Sequence, residues 1–218
     1  FGLVAGVRQL TIKRSTLNIN PAQGDLVTTP DSGIGYVAGV SYEMPEIALK
    51  VLLTQAPGID IVVPTTVVGS GTVSQPSFTT LEFETGIANN TLMFGSIHQG
   101  EHASAQVKLN GIGAISSFTD GEKYNIGLGR KFNEKLSGSF SYTTEEGSSA
   151  TGTSLLSPTN GTDTYSIGVN YVTESVDVAF GYAMSSFGDK AVTTAYGTGN
   201  FTNNDATTTG LRVKFKLP

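Results

Sequence analysis

The two histidines of the chain are the residues best suited to metal binding or proton transfer. His98 and His102 lie four residues apart, with Glu101 between them. An imidazole binds metals or exchanges a proton near neutral pH, and even spacing along a strand would place both side chains on one face. A metal pair and a protease dyad both fit this spacing. Two polar residues at the border of a strand and a loop explain it more simply, and we adopt that interpretation.

Other signatures of catalysis are missing from the sequence. The 218 residues include no Cys, which excludes thiolate nucleophiles and thiolate zinc sites. No Gly-x-Ser-x-Gly or His-Glu-x-x-His motif occurs, and the Gly-x-Gly at 33–35 begins a predicted strand rather than a helix. The net charge of −5 argues against a nucleic-acid partner. We expect no enzymatic activity, no metal and no cofactor.

Charged residues occur singly between apolar neighbours, as in Leu49-Lys50-Val51 and Leu211-Arg212-Val213. The same alternation of apolar and other residues runs through 165–184, on both sides of a turn at Glu174-Ser175. A period of two is typical of strands that have one apolar and one polar face. The sequence therefore predicts strands whose apolar faces need a covering that the rest of the chain does not obviously supply.

Ten such strands are predicted, at 1–14, 33–43, 46–56, 78–88, 91–101, 121–132, 136–145, 163–173, 176–186 and 207–217, with bulges expected in the less regular first and fifth. Short turns alternate strictly with long loops at 15–32, 57–77, 102–120, 146–162 and 187–206. This alternation is typical of a transmembrane barrel, whose short turns and long loops lie at opposite ends. We predict an all-β fold, a transmembrane antiparallel up-and-down β-barrel with ten visible strands.

The charged residues determine which face of each strand points to lipid. A charge facing lipid near the bilayer midplane costs about 2–4 kcal/mol. The apolar positions of each strand are therefore predicted to face lipid, and the long loops to be extracellular. The predicted lumen-lining residues are Lys50, Glu82, Glu84, Asp177, Arg212 and Lys214.

Four stretches resemble a known family in order and approximate spacing. They are YEMPEIALKVLLTQ (42–55), LEFETGIANNTLMFGS (81–96), YNIGLGRKFNEKLSGSFSY (124–142) and TTGLRVKFKL (208–217). Together they resemble the carboxy-terminal strands of the FadL/TodX-type outer-membrane transporters of long-chain fatty acids and other hydrophobic compounds. The resemblance implies a location in the bacterial outer membrane, contact with outer-membrane lipid and lipopolysaccharide, and a hydrophobic small-molecule substrate.

Members of that family have a fourteen-stranded barrel that is plugged by an amino-terminal hatch and releases substrate laterally through its wall. The resemblance places the ten predicted strands at the carboxy-terminal end of such a barrel, and neither the hatch nor the first four strands is seen. We expect residues 1–218 to form a single transmembrane domain that belongs to an incomplete chain.

Two of the long loops are unusually apolar for segments that face water. Contiguous exposed apolar surface tends to mark a binding site, and the resemblance implies that the corresponding loops form a groove that first captures substrate. The alternative is that the strands extend beyond the membrane and these side chains pack against neighbouring loops. The predicted ligand-binding residues are Leu17, Ile19, Leu26, Val27, Ile59, Ile61, Val62, Val63, Val67 and Val68.

Two functions follow from the sequence. The first is passive transport of long-chain fatty acids or other hydrophobic small molecules across the outer membrane. The second is a structural or surface-display barrel that has no transport role and whose lumen is merely filled.

Overall fold

The computed structural model describes residues 1–20, 24–66, 68–148, 151–152, 154, 156, 159–194 and 197–215. These residues contain two single-turn 3₁₀ segments, at Pro45–Ile47 and His102–Ser104, and nineteen strands. In chain order the strands are β1 (Gly2–Ile12), β2 (Thr16–Asn20), β3 (Gly24–Val27), β4 (Asp31–Met44), β5 (Leu49–Ala56), β6 (Ile59–Thr65), β7 (Gly69–Gln75), β8 (Phe78–Ala88), β9 (Thr91–Gly100), β10 (Lys108–Leu109), β11 (Gly113–Ala114), β12 (Gly121–Lys131), β13 (Leu136–Glu145), β14 (Thr151–Gly152), β15 (Thr162–Val172), β16 (Val176–Phe187), β17 (Lys190–Thr194), β18 (Gly197–Phe201) and β19 (Asn204–Phe215).

Ten of these strands form one antiparallel sheet, which we term the wall sheet. Its order, β1-β4-β5-β8-β9-β12-β13-β15-β16-β19, follows the order of the chain. This is the up-and-down arrangement that the sequence predicts, and all ten predicted strands are confirmed to within a few residues. The short turns at one end of the sheet include Ala48 and Asn90 in the left-handed region, at φ of 50° and 58°. We term this end the turn end and the opposite end the loop end.

The wall sheet curves but does not close on itself within the described residues. Gly86 on β8 and Arg212 on β19 line one cavity, although five other strands separate β8 from β19 in the sheet. The sheet therefore has a concave and a convex face. Strands β1 and β19 are its two edges and do not pair with each other in the described part of the chain.

The convex face is apolar and exposed. Leu3, Ile34 and Leu211 are 90%, 76% and 70% exposed, whereas the buried apolar residues are few and lie mainly in the loop region. This distribution is the reverse of that in a soluble protein, and it is what a barrel wall presents to lipid. The described residues contain no helix long and apolar enough to cross a membrane.

The charged positions lie on the concave face, as the alternation predicts. In the register of the sheet Lys50 is opposite Glu84, and Asp177 is opposite Lys214. Tyr42, Val51, Phe83 and the other apolar partners of this register fall on the convex face. The register places all six residues of the predicted set on one face, opposite to these apolar partners: Lys50, Glu82, Glu84, Asp177, Arg212 and Lys214. That they line a lumen stays a prediction.

The predicted bulges are wrong in their positions. Strand β1 pairs with β4 without interruption, and the register shift lies between Gly86 and Ala88 of β8, where that strand pairs with β9. The alternation is irregular in β9 because Phe94 occupies a concave position, where its ring lies over Gly127 of β12. A large side chain on the inner face, and not an extra residue, explains the pattern there.

The long loops are more ordered than the sequence indicates. Their described residues form a four-stranded sheet (β11-β10-β7-β6), a three-stranded sheet (β14-β17-β18) and a two-stranded sheet (β2-β3). These strands are short. Some pair with strands of another loop, and others form hairpins next to Gly69, Gly113 or Gly197, whose φ angles are positive. A period of two over such short runs is too weak to predict them.

The assignment of alternate side chains to the convex and concave faces can be tested with a matched pair of substitutions. Phe83→Lys places an ammonium on the convex face, at a cost of about 2–4 kcal/mol if that face meets lipid, whereas Glu82→Gln changes the adjacent concave position. We expect Phe83→Lys to reduce the assembled barrel far more than Glu82→Gln. The measurement is the fraction of the natural protein that keeps its folded mobility when it is run unboiled on a detergent gel. Equal losses from the two variants would mean that the assignment of faces is wrong.

Candidate functional site

Three of the long loops join into one layer at the loop end, which we term the cap. The cap comprises β3, β6, β7, β10 and β11. Thr28 forms an isolated bridge with Thr65, and Thr29 N–H donates to Pro64 O over 3.0 Å. On the other side, β7 pairs with β10, and Asn110 N–H donates to Ser70 O over 3.0 Å. Main-chain hydrogen bonds therefore connect the first, second and third long loops.

The apolar face of the β6 hairpin packs onto the concave face of the wall sheet. Ile59, Ile61 and Val63 are 5%, 3% and 1% exposed, and they pack with Leu10 and Ile12 of β1. A Cβ atom added at Gly33 or Gly35 of β4 would lie 2.6 or 2.7 Å from Ile59. The two glycines therefore provide a flat surface against which the isoleucines lie.

This packing corrects the expectation that loop 57–77 exposes one contiguous apolar surface. The expectation is wrong at Ile59, Ile61 and Val63, which alternate with exposed Asp60, Val62 and Pro64 and point toward the wall sheet. The physical reason is the period of two within β6, which directs every second side chain inward. The observed arrangement is close to the alternative interpretation, in which these residues pack against neighbouring elements.

The remaining predicted ligand-binding residues are distributed over the cap. Val62 is 59% exposed, Leu26 is 4% exposed, and Val27 and Val68 are half-buried. Val67 and the side chains of Leu17 and Ile19 lie outside the described residues. A ligand-binding role for the ten residues stays a prediction.

Arg8 holds the base of the hairpin on the concave face, and the sequence reasoning missed this role. Its Nη2 donates to Pro57 O over 2.5 Å, and its Nη1 lies 3.4 Å from Gln75 Oε1. Pro57 precedes the first strand of the hairpin and Gln75 ends the second. The available signal for this role was Arg8 itself, a charged residue within β1. The irregular alternation of that strand concealed it.

The histidines lie on the concave side at the loop end. His98 is near the end of β9, where its Nδ1 lies 2.7 Å from Thr80 Oγ1, and His102 follows in the 3₁₀ turn. Phe78 contacts both rings, with centroids 4.9 Å from His98 and 5.9 Å from His102. No group of three or more His, Asp or Glu side chains converges in metal-binding geometry in the part of the chain that the structure describes.

Lys50, Glu82 and Glu84 line a cavity of about 360 Å³ in the middle of the concave face. Phe94 and Asn125 line the same cavity. Lys50 Nζ lies 3.8 Å from Glu43 Oε1, between side chains that are half exposed or more, so this ion pair contributes little stability. We term the two carboxylates Glu82 and Glu84 the acidic band.

A second cavity, of about 700 Å³, lies nearer the turn end, and we term it the basic cavity. Arg130, Lys131 and Arg212 line it, and none of its described lining residues is acidic. Lys131 and Arg212 belong to one row of the sheet register, which runs through Ser137, Asn170 and Ala179. Strands distant in the sequence thus bring two cations onto the wall of one cavity.

The next row of the concave face toward the loop end is nearly free of side chains. Leu92 and Ser139 are the only residues in it with a side chain between β8 and β19. At Gly181 and Gly210 an added Cβ would meet no atom within 4 Å. We term the five glycines of this register the glycine row, Gly86, Gly129, Gly168, Gly181 and Gly210.

Comparison with known proteins agrees with the architecture. No family model matches the chain, and no curated protein matches it in sequence. A solved structure of a Pseudomonas aeruginosa FadL homologue matches with a TM-score of 0.66 and 11% identity, over 97% of this chain and 60% of that one. The CymD monoaromatic hydrocarbon channel matches with a TM-score of 0.56 and 13% identity, over 93% of this chain and 56% of that one.

These likenesses establish the fold. The chain is an all-β protein with the antiparallel strand arrangement of FadL-type outer-membrane barrels, as the resemblance in the sequence indicates. It spans 60% and 56% of the length of the two solved chains.

The packing of the cap predicts opposite effects at adjacent residues. Ile61→Asp buries a carboxylate in the apolar contact with the wall sheet, whereas Val62→Asp adds one at an exposed position. We expect Ile61→Asp to destabilise the cap by about 2–5 kcal/mol, the range for loss of a large buried aliphatic side chain, and Val62→Asp to have little effect. Hydrogen exchange of the β6 and β7 amides measures this difference. Similar protection in the two variants would show that the hairpin does not pack as described.

Proposed function

We propose that this chain forms part of the wall of a bacterial outer-membrane transporter through which hydrophobic small molecules pass without energy input. The observation that carries the proposal is the exposed apolar convex face on a sheet with FadL-type strand order. Lipid suits such a face, because the strands between the two edges of the sheet pair their main-chain groups with one another. The similar solved proteins, a FadL homologue and a monoaromatic hydrocarbon channel, support hydrophobic compounds as the substrate class.

Within that class we propose long-chain fatty acids as substrates and the loop end as the extracellular side. Longer loops on one side of a barrel are typical of the external side. The protein would then contact outer-membrane lipid and, at the loop end, lipopolysaccharide. Polar pairs on the convex face near the loop end support the placement of lipid headgroups at that level. Gln99 Nε2 donates to Glu122 Oε1 over 2.9 Å, and Tyr142 donates to Asp163.

The cap is the proposed site of first substrate contact. Val62 presents an exposed aliphatic side chain between the buried residues of β6, beside the bridge to Val27 and Thr28. Fully burying a Val side chain contributes roughly 1.5–3 kcal/mol, so a few such contacts suffice for capture at micromolar concentration, which corresponds to about −8 kcal/mol. Substrate passage then requires the cap to move or the substrate to pass beside it.

A structural or surface-display barrel is the second candidate. The apolar packing of Ile59, Ile61 and Val63 against β1 and β4 favours it, because a permanently packed cap would obstruct the concave side. The two functions differ in whether an intact barrel increases the uptake of a hydrophobic compound.

Uptake of radiolabelled oleate by cells that produce the natural full-length protein tests the proposal. We expect uptake above that of cells without the protein, and a severalfold reduction with Val62→Asp together with Val67→Asp. The loss of aliphatic contacts worth roughly 1.5–3 kcal/mol each explains the direction. Leu156→Asp is the matched control, because Leu156 is an exposed aliphatic loop residue outside the cap, at 45% against 59% for Val62.

Two outcomes would contradict this proposal. Oleate uptake no higher than in cells lacking the protein, at a normal surface level, would favour the structural barrel. Undiminished uptake in the double variant would remove this part of the cap from the mechanism.

A further inference from the structure

We infer that β6 and β7 form a lid, which covers the concave side of the wall sheet at the loop end and swings away from it when a substrate passes. This inference rests on the proposed function and deepens it, because that function alone does not decide between movement of the cap and passage beside it. The apolar contact that holds the lid closed is also the contact for which an apolar substrate competes.

The lid joins the wall sheet through two short links. Pro57-Gly58 connects β5 to β6, and Pro76-Ser77 connects β7 to β8; neither pair belongs to a strand. The links lie side by side, since a Cβ atom added at Gly58 would lie 2.9 Å from Gln75 O. Hinges in proteins are a few loop or element-terminal residues of this kind. Two adjacent links define one axis about which the hairpin can turn while β6 stays paired with β7.

Side chains, and not a strand ladder, hold the lid against the wall sheet. In the described chain β6 pairs with β7 and, at one bridge, with Thr28, and no wall strand pairs with either strand of the lid. The three buried aliphatic side chains of β6 pack with Leu10 and Ile12 of β1. On β4 they meet Gly33 and Gly35, which have no side chain to interlock with them. Such a contact can separate without breaking any strand pairing.

Arg8 latches the lid at both links. Its Nη2 donates to Pro57 O, and its Nη1 lies 3.4 Å from Gln75 Oε1. Its Nε, in contrast, is buried and has no hydrogen-bond partner among the described residues. A buried donor without a partner raises the free energy of the closed arrangement, and water satisfies that donor once the hairpin has moved. Arg8 therefore fixes the closed position and also limits its stability.

An apolar substrate competes for the surfaces that the closed lid covers. Ile59, Ile61 and Val63 are 5% exposed or less while they pack on β1. An alkyl chain that enters this contact replaces aliphatic neighbours with aliphatic neighbours, so the lid opens without exposing those side chains to water. A ligand shifts an equilibrium toward the state that it binds better, which here is the open state. Burial of these three residues in the closed state is thus compatible with their predicted contact with substrate.

A disulfide between the lid and the wall sheet tests whether the lid must move. Residues 1–218 contain no Cys, so Gly35→Cys with Ile59→Cys introduces one pair. A Cβ at Gly35 would lie 2.8 Å from Cγ1 of Ile59, which is one bond from the Cβ of that residue, and a disulfide spans this spacing. In cells that produce the natural full-length protein, we expect oxidation of this variant to reduce oleate uptake to the level of cells without the protein. A reductant should restore uptake.

Asp60→Cys with Ser74→Cys is the matched control. The two residues are partners in the pairing of β6 with β7, so their disulfide lies within the lid and leaves its contact with the wall sheet free. We expect equal oleate uptake by this variant when it is oxidised and when it is reduced. The unboiled detergent gel measures the amount of folded barrel in both double variants.

The labelling rate of a buried Cys reports opening without a crosslink. Ile61→Cys replaces a residue that is 3% exposed, so in the natural full-length protein in lipid nanodiscs it should react slowly with a water-soluble maleimide. We expect labelling to become severalfold faster when oleate is added, and also when Arg8→Gln removes the latch. Asp60→Cys, at an exposed position of the same strand, should react rapidly under all three conditions.

The results that overturn the inference are distinct from failure of the proposed function. Undiminished uptake by the oxidised Gly35→Cys and Ile59→Cys protein would show that substrate passes beside a closed lid. Labelling of Ile61→Cys that neither oleate nor Arg8→Gln accelerates would show that the hairpin stays packed, even if the designed disulfide does not form. No oleate uptake by the unmodified protein would remove the proposed function together with this inference.

Discussion

The structure depends on one constraint: the polar main chain of each wall strand must be paired by its neighbours while one of its faces meets an apolar solvent. In a membrane no water is available to satisfy an unpaired N–H or C=O group. The ladder from β1 to β19 meets this requirement for every strand between the two edges. The period of two follows, because only alternate side chains are then available to interact with lipid.

The same alternation leaves the concave face free to carry charge, and Glu82 and Glu84 line one cavity there while Lys131 and Arg212 line another. The cap closes over the loop end, where Arg8 and an aliphatic cluster hold it. The acidic band lies below the cap, in the middle of the concave face, and the basic cavity lies nearer the turn end. Side chains that face lipid on a barrel are restricted to apolar types, whereas those on the concave face can vary with the ligand. Differences in substrate among barrels of this fold are therefore expected in these rows.

The wall strands were predictable from the sequence because their signal is local and repeated. Most of them have about ten residues of alternation, and a single charge such as Lys50 or Arg212 assigns the faces. The loop strands were not predictable, because β7 pairs with β10 across more than thirty residues and neither strand shows a long pattern. Ile59 and Ile61 were expected at the surface because their partners, Gly33 and Gly35, have no side chain to signal the contact. The basic cavity combines residues from separate strands, and only the register brings them together.

The central claim is that lipid covers the convex face, and site-directed spin labelling tests it directly. The chain contains no Cys, so a single label reports one position. Labels at Ile167 and Val169 on the convex face of β15 should collide mainly with oxygen, which concentrates in the bilayer. Labels at Thr164 and Ser166, on the opposite face, should collide mainly with a water-soluble nickel chelate. Equal access of the chelate to all four positions in reconstituted protein would contradict a membrane-spanning wall.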